Sequence, residues 1–507
     1  MSKIVSLKRN TIANYIGQFY AMFIGIFMLP FYLKYLGAEA YGLVGFFSML
    51  TSIMMLLDMG FSSALERETA QLKDKLNGLL QIKETLRSVE SMIVILSVVI
   101  FIGVFFSSTW IVINWLQVKE LSSEVVVNCI KLMGFMIAIR WYVSLYSGIV
   151  LGLEQQVWFN VYKIIIATLR FVGGLGLILF ISDDIFHFFI YQSFIAVIEL
   201  IVLNFKIYNN LPTTQFLLPT VKSIKYIAPF ALKLAYISGA WIVYTQLDKL
   251  LLSHYIPLEK YGYFALIVTV SNAIMQFSAP LSQAILPRMI SLLSNNKEKE
   301  MLLLYKKATQ YISIIIFSVV GIVAFYSYEL LYSWSGNIEA ATWAAPILFW
   351  YAIGNAILAI LAFQYYLQFA HGNLKYHIRF NTYFPIIVLP IVYFSVSNYG
   401  AIGAAITWFA VQLVTFLIWP PFVHSKFAKG IHKNWMISDI FPSLFMTMVY
   451  LSILKYIDIN FQLFNRIEIF LILIILGGVL LVLNSIVYPN IRAGILEKVK
   501  RIGNINA

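Results

Sequence analysis

The chain alternates between apolar stretches of about twenty residues and short polar interruptions. Marking them gives about fourteen candidate spans, near residues 11–33, 41–61, 89–109, 125–149, 159–180, 186–207, 226–250, 261–286, 308–330, 342–366, 380–397, 400–422, 440–457 and 467–488. Each approaches the length that carries a helix across about 30 Å of hydrocarbon at 1.5 Å per residue. The runs are continuous, whereas a lipid-facing barrel needs alternation, so the spans are helices. Composition agrees: 61% of the residues are hydrophobic and 12% charged, against about 25% charged in a soluble domain. The mean hydropathy is +0.82. These values exclude a soluble enzyme and a nucleic-acid binder. A secreted disulfide scaffold is excluded by the single cysteine, Cys129, a small buried hydrophobe in an apolar run.

The net charge of +13 resolves into topology. With the N-terminus in the cytoplasm, 26 of the 36 Lys and Arg fall in or beside inner segments and six on the outer side: Lys34, Lys119, Lys249, Lys260, Lys455 and Arg466. That asymmetry predicts both termini inside, with a basic face beside anionic head groups. Met1–Asn10 is short and basic, and the first apolar run is long for a signal peptide and lacks a cleavage site, so it reads as a first spanning helix. The two longest inner connections, 62–88 and 287–307, mix both charge signs with apolar residues and read as interfacial helices.

A repeat divides the chain. Tyr35-Leu-Gly-Ala-Glu39-Ala-Tyr41-Gly42 recurs as Tyr255-Ile-Pro-Leu-Glu259-Lys-Tyr261-Gly262, an offset of 220 that also takes Gly152 to Gly372 and Gln192 to Gln412. Six spans separate the copies, so both enter the membrane in the same sense, as in transporters built from parallel repeats. The predicted fold is an all-α polytopic membrane protein. It has a six-helix bundle over 1–210, a second over 211–435, and two further helices with a basic tail over 436–507.

Four Lys or Arg remain inside spans, and such charges are costly and usually functional. Arg140, Arg170 and Lys233, with Glu199, lie at one depth on four different spans, roughly 10–17 Å from the inner edge at 1.5 Å per residue. Two guanidiniums and an ammonium against one carboxylate suit a phosphate-bearing ligand, with Glu199 holding one cation in place. The competing reading is buried ion pairs that fix helix register. Lys131 is out of phase with Arg140 and snorkels outward. Lys249 is a further substrate-binding candidate, and Asp58, Glu199 and Asp248 are candidates for ion coupling. Arg67 and Arg288 are candidates for the cytoplasmic entrance. Asp183-Asp184 hints at a glycosyltransferase pair, but the outer loops are too short to complete such a site. No catalytic residue, cofactor or metal site is expected, since the six histidines show no ligand spacing. Gly173-Gly174-Leu-Gly176 reads as a close-packing patch rather than a nucleotide loop.

Several segments resemble a known family. Asn10-Thr-Ile-Ala-Asn14, Leu29-Pro30 through Gly42, Leu57-Asp58-Met-Gly60-Phe with Glu66-Arg67-Glu68, Gln246-Leu-Asp248-Lys249 and Leu286-Pro287-Arg288 are similar to segments of polysaccharide-transport flippases. The nearest group is the Wzx O-antigen flippases of the multidrug/oligosaccharidyl-lipid/polysaccharide superfamily. The resemblance implies transfer of an undecaprenyl-pyrophosphate-linked oligosaccharide between leaflets of the bacterial cytoplasmic membrane. It further implies alternating access, an ion gradient as driving force, membrane lipids as surroundings, and a polysaccharide polymerase and chain-length regulator as candidate partners. A multidrug/cation antiporter of the same superfamily, or a membrane glycosyltransferase or polymerase, are the rival readings.

Overall fold

The computed structural model describes residues 7–55, 60–212, 217–276 and 279–493. Asp58 lies outside them. The chain packs as two compact units, Met1–Ala265 and Leu266–Ala507. Among the described residues the elements are helical, apart from a single bridge between Gln117 and Pro257.

The first unit runs α1 (Leu7–Leu36), α2 (Ala38–Met54), α3 (Phe61–Leu72), α4 (Gly78–Trp110), α5 (Ser123–Gly152), α6 (Gln156–Thr168), α7 (Gly174–Phe180), α8 (Ile185–Tyr208), α9 (Val221–Tyr255) and the first turns of α10 (Leu258–Gln276). The second continues with α11 (Ala279–Ser294), α12 (Glu298–Phe325), α13 (Ser327–Ser335), α14 (Ile338–Ala370), α15 (Lys375–Phe427), α16 (Ile431–Asn434), α17 (Phe441–Ile457) and α18 (Arg466–Ile486). Eleven helices among the described residues are long and apolar enough to cross a membrane. One of them, the 53-residue α15, is interrupted at Gly400, whose φ of +58° only glycine adopts readily. The break separates the predicted spans 380–397 and 400–422.

Local chemistry sets several starts. Asp184 caps α8 by accepting from the Phe186 amide at 2.8 Å, and Asn337 caps α14 through the Ala340 amide at 2.9 Å. Asn465 and Glu468 form a capping box at α18. Asp184 therefore has a structural role that its adjacency to Asp183 did not reveal.

The polar connection 62–88 contains α3, one face of which is packed and the other exposed. Phe61, Ala64, Leu65, Thr69 and Leu72 form a buried stripe at helical spacing. That stripe faces α5, α4 and α9. Gly148 and Gly152 of α5 admit it, since a side chain at either would strike the backbone oxygen of Ser62 or Glu66. Because α9 packs on α2, α3 and α4, the division by packing falls after α9. The repeat boundary at 211 is a division by sequence, and the two describe different properties.

The repeat motif itself is explained inside the first unit. Glu39 is buried, and its carboxylate accepts backbone amides from Lys119 and Glu120 at 2.5 Å and Leu121 at 3.2 Å, fixing the α4–α5 loop to the start of α2. A side chain at Gly42 would strike the Leu258 carbonyl, and one at Gly262 the Ala38 carbonyl. These two contacts exchange under the offset of 220. Gly45 likewise meets Ala265. The motif glycines are there so that α2 and the start of α10 can pack backbone to backbone.

Candidate functional site

Three of the four intramembrane charges converge in the first unit. Arg170 stands on a π-helical turn, Leu169–Gly173, inserted between α6 and α7. Such a turn adds a residue to the helix and leaves carbonyls without their usual donors. Side chains supply them: Tyr191 donates to Leu169 O at 2.7 Å, Gln192 to Arg170 O at 2.9 Å, and Tyr32 to Phe171 O at 2.7 Å. Gly173 and Gly174 lie directly beneath these groups, where a side chain would collide with the hydroxyls of Tyr191 and Tyr32. Gly173 and Gly174 are thus close-packing positions, as the sequence suggests, whereas Gly176 faces open space.

The turn directs Arg170 to Glu199 of α8, with which it forms an ion pair; both side chains are about 15% exposed. Tyr162 of α6 donates to the Glu199 backbone oxygen at 3.0 Å and holds α8 in register. Arg140 of α5 lies within electrostatic reach of both Arg170 and Glu199. Its guanidinium sits 5.0 Å from the centroid of the Phe47 ring of α2. The Nε atoms of Arg140 and Arg170 are buried with no hydrogen-bond partner among the described residues. Two guanidiniums therefore share one carboxylate, which leaves an excess positive charge and unused donors in a low-dielectric site. Lys163 contributes a further positive charge near Glu199 while its ammonium stacks on Phe159 at 4.5 Å.

The other sequence candidates lie elsewhere. Lys233 is exposed on α9, and among the described residues no hydrogen bond or ion pair joins it to the trio. Asp248 and Lys249 bind one another at 3.1 Å, with the ammonium also donating to Thr245 O at 2.6 Å. They stand about 24 Å along α9 from Lys233, at 1.5 Å per residue. Arg67 of α3 stacks 4.3 Å from the Phe230 ring, and Arg288 is exposed on α11. Next to Arg67, burial raises the Glu66 carboxyl above the usual carboxylate range.

One polar site escaped the sequence reading. Glu90 of α4 is buried, accepting the hydroxyl of Tyr146 at 2.8 Å and that of Tyr208 at 2.8 and 2.9 Å. It borders a cleft of about 570 Å³ that Arg87, Tyr142 and Asn204 also line. In the sequence Glu90 is the second residue of the predicted span 89–109. The tyrosines that bury it lie 56 and 118 residues away, and no local signal announces them.

Residues 7–293, more than half of the chain, match the family described as "Polysaccharide biosynthesis protein". The chain belongs to that family. Within the polysaccharide biosynthesis proteins it is 23% identical to the "Putative O-antigen transporter" of Shigella flexneri over 409 residues, 80% of this chain and 94% of the relative. Its fold is similar to that of the lipid II flippase MurJ in an inward closed conformation, with a TM-score of 0.74, 15% identity, and coverage of 93% of this chain and 98% of that one. It is also similar to an inward-facing multidrug resistance MATE family transporter of the MOP superfamily, with a TM-score of 0.60 and 13% identity, covering 82% and 96% of the two chains. This family member is accordingly a multi-pass, all-helical membrane protein with the fold of that transporter superfamily.

Proposed function

We propose that the protein is a flippase that moves an undecaprenyl-pyrophosphate-linked oligosaccharide, an O-antigen or related repeat unit, from the inner to the outer leaflet of the bacterial cytoplasmic membrane. The observation that carries the reading is the Arg140–Arg170–Glu199 cluster. It is a net positive, partly closed site within spanning helices, in a member of a polysaccharide biosynthesis family. A pyrophosphate brings charge that hydrocarbon does not solvate, and forked guanidiniums with spare N–H groups supply the compensation. The name of the Shigella relative and the fold shared with a lipid II flippase support the same class of substrate. A multidrug/cation antiporter would be expected to present an acid-dominated site instead.

In this reading the two repeat-related bundles alternate access, with both termini cytoplasmic. Lys233 meets the sugar-phosphate head group from α9, and Lys249 serves a later position nearer the outer face. Arg67 and Arg288 receive the anionic substrate at the inner entrance. An ion gradient drives the cycle, and Asp58, Glu199 and Asp248 remain its candidate carboxylates. A polymerase and a chain-length regulator act on the delivered product.

The test replaces Arg140, Arg170 and Lys233 singly by Gln and measures surface polysaccharide with protein levels matched. Loss in the two arginine variants is expected. Normal polysaccharide in all three would refute the site.

A further inference from the structure

In the second unit a buried carboxylate stands apart from every residue used above. Asp439 belongs to a π-helical turn, Trp435–Ile440, that leads into α17. It is 0% exposed. Its Oδ1 accepts from the Gln310 amide of α12 at 2.7 Å, whereas its Oδ2 is buried with no hydrogen-bond partner among the described residues. Its ion-pair partner among the described residues is Lys306 of α12, whose ammonium stays 3.9 Å from Oδ2, beyond hydrogen-bond length, and is 28% exposed. The turn is clamped around this carboxylate. Trp435 donates to Thr309 at 2.9 Å, and Tyr488 donates to the Asp439 backbone oxygen at 2.8 Å. A fully buried carboxylate oxygen with no donor is an expensive arrangement unless something neutralises it.

We propose that Asp439 is a proton-binding site whose occupancy sets the strength of the Lys306 tie between α12 and the turn before α17. A proton from the inner aqueous side adds to Oδ2. No other bond forms or breaks, Lys306 keeps its own proton, and its attraction to the carboxylate vanishes with the charge. The surroundings select a proton over a metal cation. Hard cations such as Ca²⁺ or Mg²⁺ take about six oxygen ligands. Here Oδ1 faces an N–H donor, an ammonium stands beside Oδ2, and no cluster of metal-ligating side chains occurs among the described residues.

The other titratable groups around the turn are named by their contacts. Tyr305 of α12 and Tyr488 are in electrostatic reach of Asp439, and His424 and His432 flank Trp435 with ring centroids at 4.9 and 6.1 Å. The histidines are titratable groups in their own right, so the informative quantity is the part of any pH response that Asp439 supplies. The consequence for transport, that this proton is a coupling ion, rests on the flippase reading; the binding site itself does not.

The experiment uses the full chain, purified in detergent, and follows unfolding with a thiol-reactive dye. Cys129 is fully buried and is the one cysteine of the sequence, so its labelling reports unfolding. Wild type, Asp439→Asn and Lys306→Gln are compared from pH 5 to pH 9, in sodium and in choline chloride. The melting difference between wild type and Asp439→Asn should vanish at the acid end and open as pH rises, equally in both salts. Lys306→Gln should move the midpoint of the wild-type response to higher pH, because the cation favouring the ionised form is gone. This keeps the test sharp if Asp439→Asn folds poorly. A pH-independent difference, an unmoved midpoint, or stabilisation of wild type by sodium alone would overturn the proposal. In cells, Asp439→Asn should remove the dependence of surface polysaccharide on the pH gradient. If the protein proves unrelated to polysaccharide export, that arm fails while the melting profile stands.

Discussion

Glu39 offers a quantitative test of why the repeat motif carries a carboxylate. Glu39→Gln keeps the shape of the side chain but replaces one oxygen by an N–H₂ group. The carboxylate accepts three backbone amides, from Lys119, Glu120 and Leu121, and one of its oxygens serves two of them. In the better of its two orientations the amide oxygen retains Glu120 and Leu121 and turns a donor toward the Lys119 amide. One charge-assisted bond is then lost outright and two become neutral. Hydrogen bonds to charged groups are worth about 1.5–3 kcal/mol against about 1 for neutral ones, so the sum is roughly 2.5–7 kcal/mol before water intervenes. Lys119 and Glu120 are exposed, and water reaching their amides brings the expectation to about 2–3 kcal/mol. The control is Glu259, which occupies the same motif position in the second copy but is 28% exposed and accepts the Tyr263 hydroxyl at 3.1 Å. Glu259→Gln should change stability by less than about 1 kcal/mol. Cys129 labelling during a thermal ramp measures both variants under one condition. Glu39→Gln should melt several degrees below wild type and Glu259→Gln close to it. Equal melting of the two variants would refute the assignment of Glu39 as the anchor of the α4–α5 loop.

Two further expectations follow from the packing and the charge. Gly42→Ala and Gly262→Ala should both reduce folded protein sharply, because each Cβ meets a backbone carbonyl, whereas Gly103→Ala, which faces open space, should be neutral; fluorescence-detected size exclusion of tagged protein reads the difference. The Glu66 carboxyl is raised by burial, so the folded state favours the protonated form more than the unfolded chain does. Stability is therefore lost as pH rises from the ordinary carboxylate range through the raised value. Glu66→Gln should recover that loss at pH 8, by less than about 1 kcal/mol given its partial exposure, and change nothing at pH 4.

The sequence by itself determined that this is a multi-spanning helical protein and that it carries a duplicated motif; against its about fourteen candidate spans, eleven helices among the described residues are long and apolar enough to cross a membrane. Those properties follow from runs of apolar residues and from the energetic necessity of pairing backbone groups within a helix inside lipid, both local in sequence. It also singled out Arg140, Arg170 and Glu199, because an ionisable residue in an apolar run is conspicuous without any partner in view. Tertiary structure alone decided what each charge meets. Arg170 reaches Glu199 because a π-helical turn rotates it there and Tyr32, Tyr191 and Gln192, on other helices, satisfy the carbonyls that the turn exposes. Nothing in the sequence singles out Glu90 or Asp439, and only the approach of Tyr146, Tyr208 and Gln310 shows that they are buried. The free energy of an intramembrane charge is set by its neighbours, and here those neighbours lie tens to more than a hundred residues away along the chain.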